Sequence, residues 1–367
     1  MDPEQVMEDG SEVLQFIRNY WNGILQNQFP VLPDFSTIKP GYLQNLIPRE
    51  APEEGEEMVK ILDDCKKMIL PGVTHWQHPD FHAYYPAATS TASILGDLLS
   101  GSLGVVPLTW TSSPAATELE VIVLNWLAKA LGLPSKFLYN TKQHSSKICG
   151  SGVIEITTGI ASLIVTIAIR NSVTKRYRQE ADLTEDNPAG GAGTIVDRMV
   201  AYVSDQVNCS IQRAVDLAMI QIRTIKSKRI GCRLVFDAAD IQKEIQTDRE
   251  RGFIPLMCIA SLGTTNTCEF DNLQEIGTLC QKENIWLHVD AAYAGSALLC
   301  PEFRHFAQGL EFADSICFNP HKLMLVNFDC AILWVSNYKL LTSTFGMEAV
   351  YLQSGLTGMP DFKVIVD

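Results

Sequence analysis

Lys322 lies between Asn319-Pro320-His321 and the apolar run Leu323-Met324-Leu325-Val326, and Asp290 closes a short apolar run ahead of the small residues Ala291-Ala292-Tyr293-Ala294-Gly295. An acid that ends an apolar run starts inside the protein, where a carboxylate needs a cationic partner. A lysine flanked by proline and apolar residues is partly desolvated, which disfavours its charge and makes the amine a better nucleophile. Two chemistries fit such a pair. One is a structural ion pair. The other is the pairing that pyridoxal phosphate (PLP) requires, in which the amine holds the aldehyde as a Schiff base and the acid keeps the pyridine nitrogen protonated. Spacing by itself leaves both open.

Two more apolar runs end in polar residues. Val203 is followed by Ser204-Asp205-Gln206-Val207-Asn208, and Ala260 by Ser261-Leu262-Gly263-Thr264-Thr265. Converging strand ends of this kind are where α/β sheets bind ligands. The runs Met199–Val203, Pro255–Ala260, Ile285–Val289, Ser315–Phe318 and Ala331–Val335 read as strands. Helical spacing marks Ser93–Leu103, Thr117–Leu131, Ile160–Tyr177, Asp240–Arg251 and Asn272–Glu283, the last with Asp271 as its expected N-cap. This alternation from about residue 86 onward predicts an α/β layer with a mainly parallel sheet. Thr184–Thr194 reads as a surface loop, and no internal repeat is evident.

The first 85 or so residues differ. Val13, Phe16, Ile17, Tyr20 and Trp21 follow helical spacing, Phe29–Pro48 reads as a non-helical crossing, and Glu57–Ile69 fits a second helix stopped by Pro71-Gly72. So much apolar surface on so small a unit predicts packing against a partner subunit.

Composition bounds the function. The 367 residues are 46% hydrophobic and 19% charged, as in ordinary globular proteins, with a net charge of −13. That acidity argues against nucleic acid or an anionic membrane as partner. The longest apolar candidate, Ile160–Ile169, is too short to span a bilayer, and the acidic start MDPEQVMEDG lacks the features of a secretory signal. The expected address is the cytoplasm. Ten scattered cysteines without a C-x-x-C pair are expected to be buried thiols. Gly150-Ser151-Gly152 lacks the third glycine of a dinucleotide fingerprint, and Pro79 interrupts the helix that His75, His78 and His82 would need to share a metal, so no metal is expected.

Four segments now carry a resemblance: HWQHPDFHAYYPAATS, WTSSPAATELEVIVLNWLAKALGLP, SLGTTNTCEFDNLQEIG, and the run from Trp286 through HVDAAYAG and NPHK to Val335. Together they resemble the group II PLP-dependent amino-acid decarboxylases, especially the aromatic-L-amino-acid and histidine decarboxylases, over about Gly41 to Tyr351. The resemblance implies a fold type I (PLP-dependent transferase-like) large domain over 86–367 with a mainly parallel sheet of the seven-stranded type. It also implies an N-terminal helical dimerisation arm over 1–85, a homodimer, PLP as cofactor and an aromatic L-amino acid as substrate. By the same resemblance Lys322 is the Schiff-base lysine and Asp290 the pyridinium partner. Ala292 packs on the ring, Thr265 and Asn319 contact PLP or its phosphate, and His321 lies beside the phosphate. Trp76, Tyr84, Tyr85 and Ala87 help line the substrate pocket. Tyr351 matches a loop tyrosine that protonates the substrate carbon after carbon dioxide leaves.

Three departures from the family pattern shape the expectations. Where the family reads G-S-A-S-E-A at the phosphate, this chain has Ile156-Thr157-Thr158-Gly159-Ile160-Ala161; Thr157 and Thr158 are expected to donate, while Gly159 replaces a serine. The family's small C-terminal domain is expected to be missing, with a loss of turnover. Asn208 stands where the decarboxylases carry a histidine, which points to the substrate pocket and to the insect 3,4-dihydroxyphenylacetaldehyde synthases. The expected reaction is therefore oxidative decarboxylation–deamination to an aromatic acetaldehyde. The alternatives are plain amine formation from an aromatic amino acid or histidine, and a catalytically impaired relative.

Overall fold

The structure, a computed structural model, describes residues 2–107, 109–140, 149–180 and 191–346. The backbone divides into two compact units, Met1–Thr89 and Ser90–Asp367.

In the first unit, α1 (Pro3–Leu25) starts with Asp2 accepting from the Glu4 N–H and with proline in its first turn. Tyr20 on α1 pairs its hydroxyl with His75 Nδ1 at 2.9 Å, and its ring lies 5.6 Å from that of Phe29. The expected helix over Glu57–Ile69 is not uniform: α2 (Met58–Asp64) widens into a π-type turn over Cys65–Ile69.

The second unit runs α3 (Thr91–Leu103), α4 (Pro114–Ala130), β1 (Ser151–Glu155), α5 (Thr158–Glu180), α6 (Ala192–Val196), β2 (Met199–Ser204), α7 (Cys209–Leu217) and β3 (Gln221–Ile225). It continues with β4 (Lys228–Ile230), β5 (Arg233–Val235), α8 (Ala238–Glu250), β6 (Ile254–Ser261), α9 (Leu273–Glu283), β7 (Trp286–Asp290), β8 (Ser315–Phe318), α10 (Pro320–Leu323), β9 (Ala331–Val335) and α11 (Lys339–Phe345). A seven-stranded sheet has the order β1-β9-β8-β7-β6-β2-β3. Strands β3, β2, β6, β7 and β8 pair in parallel, while β9 is antiparallel to both β8 and β1. The sheet is thus mainly parallel, and the expected strand Ala331–Val335 is its reversed member.

Strand alternation sends side chains to two cores. Cys258 and Ala260 of β6 join Leu287 and Val289 of β7 and the buried faces of α4, α8 and α9. Met257 and Ile259 point the other way, to Val165 of α5, Ile211 and Val215 of α7 and Leu341 of α11. Helices therefore cover both faces, as a parallel sheet requires. No helix among the described residues is long and apolar enough to cross a membrane. The cysteines are all free thiols, but the expectation of burial holds only in part: Cys149, Cys258, Cys280 and Cys317 are buried, whereas Cys209, Cys232, Cys268 and Cys300 are exposed.

The cap of α9 is a correction. Asn272 Oδ1, not Asp271, accepts from the Glu275 N–H, at 3.3 Å. Asp271 instead turns inward and accepts the Ser261 N–H at 2.7 Å, tying the end of β6. Burial pushes its carboxyl up to about 7, against the pull of that hydrogen bond. A carboxyl that holds its proton more tightly folded than unfolded stabilises the fold below its unfolded value, and this contribution fades as pH rises through the folded value. Between about pH 4 and pH 7 this group therefore makes the chain progressively less stable. Asp271→Asn keeps a carbonyl acceptor for Ser261 and removes the titration, so denaturant midpoints should decline less with pH in the variant. Asn272→Ala should cost about 1 kcal/mol at every pH.

Candidate active site

Because β2, β6, β7 and β8 run the same way, Ser204, Ser261, Asp290 and Phe318 end at one edge of the sheet. Register places Ser261 beside Asp290 and Asp290 beside Cys317. The reversed β9 pairs Ala331 with Glu155, which brings the end of β1 and the start of α5 to the same edge.

Asp290 is buried at this edge, and its Oδ1 accepts the Ala292 N–H at 3.0 Å. Burial pushes its carboxyl above the ordinary range, while that hydrogen bond and the charge of Lys322 pull it back. Lys322 stands on α10, a four-residue helix that Pro320 starts. Burial lowers its ammonium below the usual lysine range, and the Asp290 charge works against that shift. Each group is thus displaced toward neutrality by burial and toward charge by the other. Backbone bonds fix their spacing: the Asn319 N–H donates to Ala292 O at 3.2 Å, and the Lys322 N–H donates to Asn319 O at 3.1 Å. Asn319 Oδ1 accepts the Thr158 hydroxyl at 2.5 Å, which joins the start of α5 to the end of β8. His321 Nδ1 accepts the Cys330 N–H at 2.9 Å, and its ring stacks on Phe328 at 4.0 Å.

Below Asp290 lies a polar but uncharged bed, of which the HVDAAYAG motif marks only His288. His288, two residues earlier on β7 and so on the same face, pairs Nδ1 with the Ser315 hydroxyl at 2.8 Å. Its Nε2 meets the Ser162 hydroxyl at 3.4 Å and Cys317 Sγ at 3.5 Å. Burial drives its pKa down to about 3, so the ring is neutral near physiological pH. Burial likewise pushes the Cys317 thiol up and keeps it protonated. Beyond that motif, the period of two along a strand is the signal: it puts a histidine on the face of a buried acid.

Across the edge, Asn208 caps α7. Its Oδ1 accepts the Ser210 N–H at 2.9 Å and its Nδ2 donates to Thr265 Oγ1 at 2.8 Å, so both ends of the amide are held. A β-carbon on Gly159 would lie 3.4 Å from that of Ser210, an ordinary contact, so the starts of α5 and α7 stand side by side. Thr157 Oγ1 accepts the Ile160 N–H at 3.3 Å. Thr158 directs its hydroxyl proton to Asn319, while Thr157 accepts as a cap of α5 and keeps its own O–H proton for donation. For an anion the helix start adds its first N–H groups, at Thr158 and Gly159, which have no acceptor within the helix.

This donor set fits pyridoxal phosphate. A half-buried amine, a buried carboxyl within its field, and a helix start free of acidic side chains in its first turn occupy one strand edge. Ala292, Asn319 and His321 belong to the same cluster through the bonds above. Trp76, Tyr84, Tyr85 and Ala87 belong to the first unit, where Trp76 stacks on Phe81 at 4.9 Å and on Tyr84 at 5.4 Å. There the Gln77 side chain donates to the Ala87 carbonyl. Tyr351 lies outside the described residues. Among the described residues no group of three or more His, Cys, Asp or Glu side chains is arranged to hold a metal ion.

The Thr158–Asn319 bond is buried, so breaking it strands an acceptor. Thr158→Val should destabilise the chain by about 1–3 kcal/mol in denaturant titrations, and Thr158→Ser should recover most of the loss.

Known proteins share this arrangement of sheet and sequence. The pattern of the pyridoxal-dependent decarboxylase conserved domain matches residues 40–365. Aromatic-L-amino-acid decarboxylase of Sus scrofa is 41% identical over 98% of this chain and 70% of its own length. The structure of Rhodiola rosea 4-hydroxyphenylacetaldehyde synthase superposes with a TM-score of 0.84 at 36% identity, covering 96% of this chain and 70% of that one. Tryptophan decarboxylase of Catharanthus roseus in complex with L-tryptophan does so with a TM-score of 0.84 at 35% identity, covering 95% and 70%. With a fold of type I and a match along nearly its whole length, the chain belongs to the pyridoxal-dependent decarboxylase family, whose cofactor is pyridoxal phosphate.

Proposed function

We propose that the chain decarboxylates an aromatic L-amino acid of the dopa, tyrosine or tryptophan class, and that its principal product is the aromatic acetaldehyde. The observation that carries the first part is the opposition of Asp290 and Lys322 in one buried strand edge. Bound pyridoxal phosphate supplies an electron-accepting ring that takes up the pair of electrons left when the carboxylate departs as carbon dioxide. Lys322 is the residue proposed to hold the cofactor through its Nζ, which burial makes a better nucleophile than an ordinary lysine. Asp290 would keep a proton at the ring nitrogen. Ala292 would pack on the ring, Thr265 and His321 would contact the cofactor, and Asn319, Thr157 and the N–H groups of Thr158 and Gly159 would receive the phosphate.

The second part rests on Asn208. Its amide is clamped between Ser210 and Thr265 and carries no proton that titrates near neutral pH. A histidine would offer an imidazole proton at the substrate carbon; this residue does not. With that carbon left unprotonated for longer, dioxygen competes for its electrons. The balanced reaction is amino acid + dioxygen + water → aromatic acetaldehyde + carbon dioxide + ammonia + hydrogen peroxide, with dioxygen reduced by two electrons and the amine carbon oxidised. The likeness to 4-hydroxyphenylacetaldehyde synthase supports this reading. The likeness to aromatic-L-amino-acid decarboxylase supports the alternative, amine formation with Tyr351 as proton donor. Trp76, Tyr84 and Tyr85 are proposed to receive the substrate ring, on their aromatic chemistry.

We further propose a homodimer. Leu98, Leu99 and Leu103 on α3 and Leu119 and Trp126 on α4 are exposed large apolar side chains, an unusual density for a monomer's surface. Sedimentation should give a dimer, and Leu98→Ser with Leu99→Ser should shift it toward monomer.

Hydrogen peroxide, ammonia and aldehyde measured beside amine should appear in equal amounts from the unmodified chain, and Asn208→His should turn most of the flux to amine. Amine as the sole product of the unmodified chain, with no oxygen consumed, would contradict the aldehyde reading and leave decarboxylation standing.

A further inference from the structure

The chain leaves Lys322 through an exposed loop, and that loop is held from outside the site. Three hydrogen bonds from the start of α3 secure it: Ser90 Oγ donates to Leu325 O at 3.0 Å, the Asn327 N–H donates to Ser93 Oγ at 2.8 Å, and Asn327 Nδ2 donates to Asp97 Oδ2 at 2.6 Å. Ser90, Ser93 and Asp97 are three and four residues apart and therefore share one face of the helix. Ser90 is also the cap of α3, accepting the Ser93 N–H at 3.1 Å. At the centre of the held segment, Leu325 has φ +57°, a left-handed conformation that a leucine keeps only when its surroundings impose it.

The contacts continue inward. After Asn327 comes Phe328, whose ring stacks on His321, and then Cys330, whose N–H donates to His321 Nδ1. His321 adjoins Lys322 in α10. A displacement of the Asn327 segment thus reaches the lysine through two anchored contacts on its neighbour. No residue of α3 is buried, so the helix meets this loop through polar bonds rather than through a shared apolar core.

We infer that Asp97 and Asn327 are positioning residues for Lys322: the clasp between α3 and the Lys322 loop sets the backbone that aims the amine. The inference rests on the reading of Lys322 as the carbonyl-reactive residue. It assigns a role to a pair, exposed Asp97 and half-buried Asn327, outside the cluster of Asp290, Ala292, Asn319 and Lys322.

The test strips pyridoxal phosphate from the full chain, restores it, traps the lysine adduct with borohydride at timed intervals and quantifies the Lys322 peptide. Asp97→Ala should slow labelling at least threefold with an unchanged thermal midpoint. Asp97→Asn, whose amide oxygen can still accept from Asn327, should stay within twofold of the unmodified chain. Asn327→Asp sets two carboxylates against each other and should slow labelling more at about pH 8 than at about pH 5. Combining it with Asp97→Asn, which exchanges donor and acceptor, should restore the rate. Ser102→Ala, which removes only a bond to Leu99 O within the same helix, is the control and should label normally. Labelling of Asp97→Ala and Asn327→Asp at the unmodified rate would overturn the inference and leave Lys322 as the reactive lysine. No labelling of Lys322 in the unmodified chain would overturn the reading of Lys322 and this inference with it.

Discussion

A buried carboxyl and a half-buried amine at one strand edge organise this molecule. Burial pushes Asp290 toward its protonated form and Lys322 toward its neutral form, and the charge of each resists what burial does to the other. Such a pair is costly to build, because the loss of hydration can exceed the mutual attraction. The fold accepts that cost at the end of two adjacent strands, where Ala292 and Asn319 fix the spacing through the backbone. The neutral His288 and protonated Cys317 underneath add no competing charge. Lys322 is therefore the cation that answers Asp290, and a cofactor that engages both groups would relieve the cost that the free protein carries.

The surrounding architecture serves this edge. Reversal of β9, which lies between β1 and β8, lets those two strands end at the same edge, and Thr158 at the start of α5 there reaches Asn319. On the other side Asn208 begins α7 and reaches Thr265 beyond β6. Two helix starts thus meet the ends of β1, β2, β6, β7 and β8, and the N–H groups at the start of α5 offer an anion site without a charged side chain. Asn208 ties two of these elements with both ends of its amide.

Much of this is legible in the residues because burial leaves a mark on composition. Ser315–Phe318 and Ala331–Val335 are apolar on both faces, and their predicted bounds match the structure to the residue. Strands β1 and β3 escape notice in the sequence because Gly152 dilutes β1, while Gln221, Arg223 and Thr224 give β3 the polarity of a surface segment. The nine residues of α7 are hidden behind the polar run that Asn208 ends. Direction is not legible either: a strand buried on both faces reads the same whether it runs with its neighbours or against them. At the site, Lys322 and Asp290 stand out from their apolar flanks. The couplings Thr158–Asn319 and Asn208–Thr265 join residues 161 and 57 positions apart and require the fold. Asp271 has the signature of a cap because the capping preferences of Asp and Asn are alike; its tertiary role as acceptor for Ser261 decides between them.

The central claim is that the buried pair at the strand edge is a cofactor site rather than a structural ion pair. Equilibrium dialysis against pyridoxal phosphate, read by visible absorbance of the retained protein, separates the two directly. The account predicts one tightly retained, visibly absorbing equivalent per chain, lost in Lys322→Ala and weakened in Asp290→Asn. A chain that retains no cofactor, or a Lys322→Ala variant with the absorbance of the unmodified protein, would contradict it.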